Sequence, residues 1–192
     1  MDDKFIMLTG VRNSYPHLFV EPVINGETGK KGAKLMLKKG KQDAQIKKLK
    51  DRMTALLKEK NKGKKLPSEK YCLRDGDDSG KDEYEGYMTV SANTSGDIRV
   101  LAGDGKTVVT ESRDSKIYAG CFVNAKIRLW FQDNNFGKRI NAELIAIQFA
   151  GDGEPLTDSH ISEEDAVDGF DAVDGDIDDA GGAEEDHDDL LD

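Results

Sequence analysis

The sequence predicts an all-β domain with one helix, closed into a small barrel and followed by a disordered acidic C-terminal tail. Three observations carry that expectation. Short alternating segments separated by turn residues fill most of residues 1–150, a single segment has helical periodicity, and the composition changes abruptly at Gly151. Several strands with one helix among them, in place of alternating β and α units, favour a closed β-barrel over a parallel sheet.

The elements follow in order. Phe5 to Arg12 and Ala33 to Lys39 read as strands, the second because Lys34, Met36 and Lys38 alternate with Ala33, Leu35 and Leu37. A Gly-rich connection separates them. Asp43 to Lys60 reads as the helix: Ile46, Leu49, Met53, Leu56 and Leu57 recur at helical spacing, with Lys47, Lys48, Lys50, Arg52 and Lys58 on the other face, and Gly63 and Pro67 mark its end. Tyr84 to Thr94 and Ile98 to Leu101 read as strands. Two longer ones, Gly120 to Gln132 and Lys138 to Phe149, join through Asp133-Asn134-Asn135-Phe136-Gly137 as a hairpin.

From Gly151 the chain turns to Asp, Glu, Gly and Ala, with an imperfect repeat in Ala166–Asp171 and Ala172–Ile177. Such a segment buries too little apolar surface to offset chain entropy, so residues 151–192 are expected to be a disordered tail on a domain spanning residues 1–150.

The formal charge of −10 conceals two opposite halves. All 28 Lys and Arg precede Gly151, whereas 18 of the 38 Asp and Glu lie from Gly151 onward, leaving a body of +8 and a tail of −18. A basic body joined to an acidic tail is the asymmetry of nucleic-acid binding. The stretch from Lys30 to Lys70 alone holds 16 basic against 4 acidic residues, enough to steer a polyanion or, more blandly, to solvate a helix. Cys72 and Cys121 stand far apart with no Cys-x-x-Cys pair, so buried, inert thiols in a reducing cytoplasm are expected. The N-terminus lacks the pattern of a signal peptide and no apolar run reaches membrane-spanning length, which predicts a soluble intracellular protein without membrane contact.

Val123 to Gln132 is the most informative strand, because its alternation separates two faces of different chemistry. Val123, Ala125, Ile127, Leu129 and Phe131 belong in a core. Asn124, Lys126, Arg128, Trp130 and Gln132 place two cations beside the only Trp. Cations that track a backbone and rings on which bases stack, each stack worth about 1 to 3 kcal/mol, are what hold single strands. The competing reading has Trp130 covering a barrel end. Phe136, at the hairpin tip beside Lys138 and Arg139, repeats the combination.

Catalytic look-alikes fail on spacing. Gly103-Asp104-Gly105-Lys106-Thr107 resembles a phosphate loop, but Val100 stands where that loop's first glycine belongs. Asp75-Gly76-Asp77-Asp78-Ser79-Gly80 resembles the start of a calcium loop, yet its twelfth position is Gly86. His17, His160 and His187 are scattered, so neither a metal ligand set nor an acid–base constellation is expected, and no cofactor either.

Several phrases carry a resemblance to a known family: Val11-Arg12-Asn13-Ser14-Tyr15-Pro16-His17-Leu18-Phe19, Leu73-Arg74-Asp75-Gly76-Asp77, Tyr84-Glu85-Gly86, Tyr118-Ala119-Gly120-Cys121, Val123-Asn124-Ala125, Gln132-Asp133-Asn134 and Gly137-Lys138-Arg139-Ile140-Asn141-Ala142. Spread over Val11 to Phe149, they resemble phage single-stranded DNA-binding proteins, related to the acidic-tailed replication proteins of short-tailed phages. The resemblance implies an OB-like barrel, no catalytic activity, strand binding with little sequence preference in replication or recombination, a host-cytoplasmic location, and a tail that contacts replication or recombination partners. It favours a loop role for Asp75 to Asp77. The helix after the second strand leaves strand order open, and the tail ends on Asp188-Asp189-Leu190-Leu191-Asp192 where the family's tails end on an aromatic.

The expected DNA contacts are Arg12, Tyr15, Lys126, Arg128, Trp130, Phe136, Lys138 and Arg139, with Phe170, Asp188, Asp189, Leu190 and Leu191 as the tail's partner-binding residues and as part of a groove competitor. Oligomeric state stays open, a homodimer included. Two rivals remain: an acidic DNA mimic or inhibitor whose tail is the active part, and a Mg²⁺-dependent nuclease using the acids from Asp75 to Glu85.

Overall fold

The computed structural model describes residues 4–156, and within them five strands close a barrel. These are β1 (Ile6–His17), β2 (Lys31–Lys38), β3 (Tyr87–Thr94), β4 (Phe122–Asn134) and β5 (Gly137–Gly151). Antiparallel ladders join β1 to β2, β2 to β3, β1 to β4 and β4 to β5, with Arg12 opposite Met36, Leu35 opposite Val90, Ile6 opposite Ile127 and Leu129 opposite Ala142. One parallel contact, Ala142 beside Ala92, closes β5 onto β3. The resulting order around the barrel, β1-β2-β3-β5-β4 and back to β1, is that of the five-stranded Greek-key OB barrel. The OB-like expectation is met.

The predicted alternation of β4 holds in three dimensions. Val123, Ala125, Ile127 and Leu129 are buried, Phe131 packs partly against the core, and Trp130 stays on the outside. From β2, Ala33, Leu35 and Leu37 point the same way into the barrel. The helix α1 spans Asp43–Lys60 as the periodicity predicts, and it lies between β2 and β3. Its Ile46, Leu49, Met53, Leu56 and Leu57 all join the barrel core, which is why the apolar stripe recurs every three to four residues. Gln42 fixes its start: the side-chain amide donates to the carbonyls of Thr9 (3.2 Å) and Gly10 (2.9 Å), and its oxygen accepts from the Lys38 N–H (2.7 Å).

Three boundaries shift for local reasons. β1 runs past Arg12 to His17 because a bulge between Ser14 and His17, with Tyr15 at φ +47°, lets the strand bend without leaving the sheet. β3 begins at Tyr87, since Gly86 at φ +75° ends a loop that holds Tyr84 in a 3₁₀ turn. β4 begins at Phe122, after Gly120 at φ +111°. The Gly-rich connection between β1 and β2 contains a small hairpin, Val23–Ile24 against Glu27–Thr28, turned by Asn25 and Gly26. Leu73–Asp75 adds an edge strand to β3, and Arg99–Leu101 runs parallel to β5 with Val108–Val109 beyond it.

Cys72 and Cys121 are both free and buried, and burial pushes the Cys72 thiol up to about 12, so neither is a ready thiolate. No described helix is long and apolar enough to cross a membrane. Most of the acidic tail, with Phe170, Asp188, Asp189, Leu190 and Leu191, lies outside the described residues.

Candidate nucleic-acid interface

The outer face of β2 and β3 is a floor of small and polar side chains, Gly32, Lys34, Ser91 and Asn93, flanked on both sides by loops. Three recesses lie along it. One of about 470 Å³ is bounded by Tyr15 and His17 at the end of β1, Pro22 and Ile24 of the small hairpin, Lys30 and Lys34. A second, of about 740 Å³, runs from Lys34 and Thr89 between the segment Lys65–Arg74 and the loop that carries Lys81 and Tyr84. A third, of about 130 Å³, reaches β5 at Arg139 and Asn141. Neighbouring recesses share residues: Lys34 belongs to the first two, Tyr71 and Arg74 to the last two, and Ser91 and Asn93 to the first and third. They therefore form one groove across the sheet.

Rings and cations alternate along this groove. The Lys34 ammonium sits 4.7 Å from the centre of the Tyr84 ring, and the Lys81 ammonium 4.9 Å from that of Tyr15 while donating to the Tyr15 hydroxyl at 3.1 Å. Tyr84 itself is buried, its hydroxyl sharing a hydrogen bond of 3.1 Å with Ser14. Burial of that ring pushes its hydroxyl far above the ordinary phenol range, so it stays neutral. Lys34 is pushed the other way. Burial, then the like charges of Lys81 and Arg74, hold its pKa below the usual lysine value, and the pull of Glu83 is weaker than either. Glu69, Asp75 and Asp78 also line the second recess, so the positive charge of the groove is concentrated where Lys34 faces Lys81 and Arg74.

The acids that suggested a metal loop have other employment. Lys39 pairs with both Asp75 and Asp77, Asp75 accepts from the Asp77 N–H (3.0 Å), and Asp77 accepts from the Gly86 N–H (2.7 Å). The hydrogen bonds from Lys39 hold both carboxyls below the ordinary carboxylate range. Among the described residues no three His, Cys, Asp or Glu side chains gather as metal ligands. Asp104 caps its own turn, accepting from the N–H groups of Lys106 and Thr107 (both 2.8 Å), so the glycine pair there is a solvated turn.

The eight candidates from the sequence fall into four places. Tyr15 and Arg139 line the groove. Phe136, 86% exposed, sits at the tip of the β4–β5 turn, with Lys138 near its base donating to Asn61 (3.0 Å). Lys126, Arg128 and Trp130 share the outer face of β4, but Arg128 is paired with Glu143 and the Lys126 ammonium lies 4.9 Å from the Phe5 ring. Trp130, 40% exposed, stands directly opposite Asn141 on β5, one strand beyond the end of the groove. Arg12 does something else: it donates to the backbone carbonyls of Glu154 (2.6 Å) and Gly120 (3.3 Å), fastening the segment after β5 to the barrel. Lys34, Tyr71, Arg74, Lys81 and Tyr84 were not among the candidates. Lys34 stands in the basic stretch from Lys30, and Arg74 and Tyr84 stand in two of the family phrases, whereas Tyr71 and Lys81 carry no signal of their own.

The groove over the second and third strands is bounded by the β1–β2 connection and by the segments between β2 and β3, and a closed five-stranded OB barrel is the class of domain that takes oligonucleotides and oligosaccharides. Comparison with known proteins narrows the class. Residues 4–180 match the family described as Enterobacter phage Enc34, ssDNA-binding protein, and the chain belongs to that family. It is 32% identical over 162 residues to protein p50 of Acyrthosiphon pisum secondary endosymbiont phage 1, spanning 79% of this chain and 86% of that one. The solved single-stranded DNA-binding protein of bacteriophage Enc34 is 30% identical with a TM-score of 0.73, covering 87% of this chain and 92% of its own. The structure of that phage protein in complex with ssDNA gives a TM-score of 0.74 at the same identity, over 81% and 91% of the two chains.

Proposed function

We propose that this chain binds single-stranded DNA with little sequence preference, as a non-enzymatic protein of phage replication or recombination in the host cytoplasm. The observation that carries the reading is the groove over β2 and β3, in which Lys34, Lys81, Arg74 and Arg139 lie among the rings of Tyr15, Tyr71 and Tyr84. Cations there neutralise phosphates and set the salt dependence, while the exposed rings of Tyr15, Trp130 and Phe136 offer stacking faces that any base can use. The strand runs from the small hairpin across β3 to Arg139 and the β4–β5 turn, and Trp130 extends the track by one strand. Lys126 and Arg128 add to the field at a distance.

The domain comprises residues 1–150. The acidic segment 151–192 competes with DNA for the groove and, once displaced, recruits replication or recombination proteins through Phe170, Asp188, Asp189, Leu190 and Leu191. Five residues after β5 stay with the barrel, because Arg12 holds the Glu154 carbonyl and the Leu156 N–H donates to that of Ala119 (3.0 Å). A homodimer is compatible with this arrangement.

An electrophoretic titration with single- and double-stranded oligonucleotides, with and without Mg²⁺, tests the reading. The expected result is a retarded single strand of unchanged length and a much weaker shift of the duplex. Strand shortening in Mg²⁺ would establish a nuclease, and no shift by the body alone would establish the acidic mimic.

A further inference from the structure

The loop between the edge strand Leu73–Asp75 and β3 leaves and re-enters the barrel at one point. The Gly76 N–H donates to the Tyr87 carbonyl (2.8 Å), and the Gly86 carbonyl accepts from the Lys39 N–H (3.0 Å). Between these bonds the chain makes two 3₁₀ turns, Asp77–Ser79 and Asp82–Tyr84, that present Lys81 and Tyr84 to the groove. The neck is narrow. A Cβ at Gly76 would come within 2.1 Å of the Tyr84 carbonyl oxygen and 2.7 Å of that of Tyr87, so only glycine fits.

What holds the neck shut is electrostatic. The Lys39 ammonium, just beyond β2, bonds Asp75 on one side of the neck and Asp77 on the other, and Asp77 in turn accepts the Gly86 N–H. Asp75 borders the same recess as Lys34, Lys81 and Tyr84, but its carboxylate is taken up by the Lys39 ammonium and the Asp77 N–H. We infer that the Lys39–Asp75–Asp77 clamp is a positioning device for DNA binding: it fixes the loop whose Lys81 and Tyr84 form one wall of the groove, its carboxylates being spent on Lys39 and on backbone N–H groups. The inference rests on the groove being the strand site.

The clamp makes a prediction opposite in sign to simple electrostatics. Removing two negative charges beside a polyanion site should tighten binding if charge alone matters. If the clamp positions the wall, the same change should weaken it, because Lys81 and Tyr84 lose their fixed geometry. The experiment compares full-length wild type, the Asp75→Asn, Asp77→Asn double variant and Lys39→Arg by fluorescence anisotropy with labelled single-stranded DNA, with thermal unfolding run in parallel. The double variant is expected to bind roughly tenfold more weakly, the scale of one lost stacking or charge contact, while Lys39→Arg, which keeps a bidentate donor, stays near wild type. Should the double variant fail to fold, the single Asp77→Asn reads the same sign, since its amide oxygen still accepts the Gly86 N–H. Binding by either acid-to-amide variant that equals or exceeds wild type overturns the clamp. Wild type that ignores single strands sinks the groove reading instead, so the two failures are distinct.

Discussion

Lys34→Met is the sharpest perturbation of the groove. The substitution keeps the apolar stem that packs beside Tyr84 and removes only the crowded ammonium. A phosphate oxygen about 4 Å from an ammonium is worth about 4 kcal/mol at the effective dielectric of a protein surface, and stripping water from both partners returns much of it. Hydrogen bonds to charged groups retain about 1.5 to 3 kcal/mol net, so the variant should bind single strands roughly 10- to 150-fold more weakly. The log–log salt slope should flatten by about 0.7, one phosphate for a single strand. Stability should move the other way. The folded state holds Lys34 below its ordinary pKa, through burial and then Lys81 and Arg74, so the charged form is a burden on the free protein. The unfolded chain binds more protons between the two values, and wild-type stability therefore rises as pH climbs from the folded toward the unfolded lysine pKa. The Met variant lacks that alkaline rise and is no less stable at neutral pH. Anisotropy titrations across salt, with denaturant unfolding at two pH values, check each part. Unchanged affinity together with an unchanged slope would put the strand off the β2–β3 face.

Trp130→Ala should weaken single-strand binding by about 1 to 3 kcal/mol with the circular-dichroism spectrum intact, and the lone indole of the wild type should be quenched on titration; unchanged affinity would end the track at β5. Removing residues 157–192, while keeping the Asp152–Leu156 strap that Arg12 and Tyr118 hold, should raise affinity at low salt, with the gain shrinking as salt screens tail and strand alike. Equal affinity of the truncated and full chains at every salt concentration would remove the competitor. The Asp75 and Asp77 carboxyls are held below their ordinary range by Lys39, so the clamp's contribution is complete above the unfolded carboxylate pKa and lost as pH falls through the lower folded values. The Gly86 amide resonance should report that acid transition in wild type and lose it in the double Asp→Asn variant.

Local periodicity explains what could be read from the chain. In β4 every second residue meets the core, and α1 buries one stripe, so both elements and the β4–β5 hairpin are written within a few adjacent residues. The groove is different in kind. Tyr15, Lys34, Tyr71, Arg74, Lys81, Ser91 and Arg139 come from separate segments; antiparallel ladders set β1, β2, β3 and the edge strand side by side, and the parallel contact of Ala142 with Ala92 brings β5 and Arg139 to them. A parallel pairing between distant strands leaves no alternation to detect. Tyr84 shows the consequence: as a β-propensive residue before an alternating run it reads as the start of a strand, yet Gly86 breaks the strand and the clamp at Lys39 carries the ring onto β2. The cation–aromatic combination expected on β4 is the pairing that phosphates and bases need within one strand's reach. Its fuller expression lies on β2 and β3, where closure supplies neighbours that no single strand can.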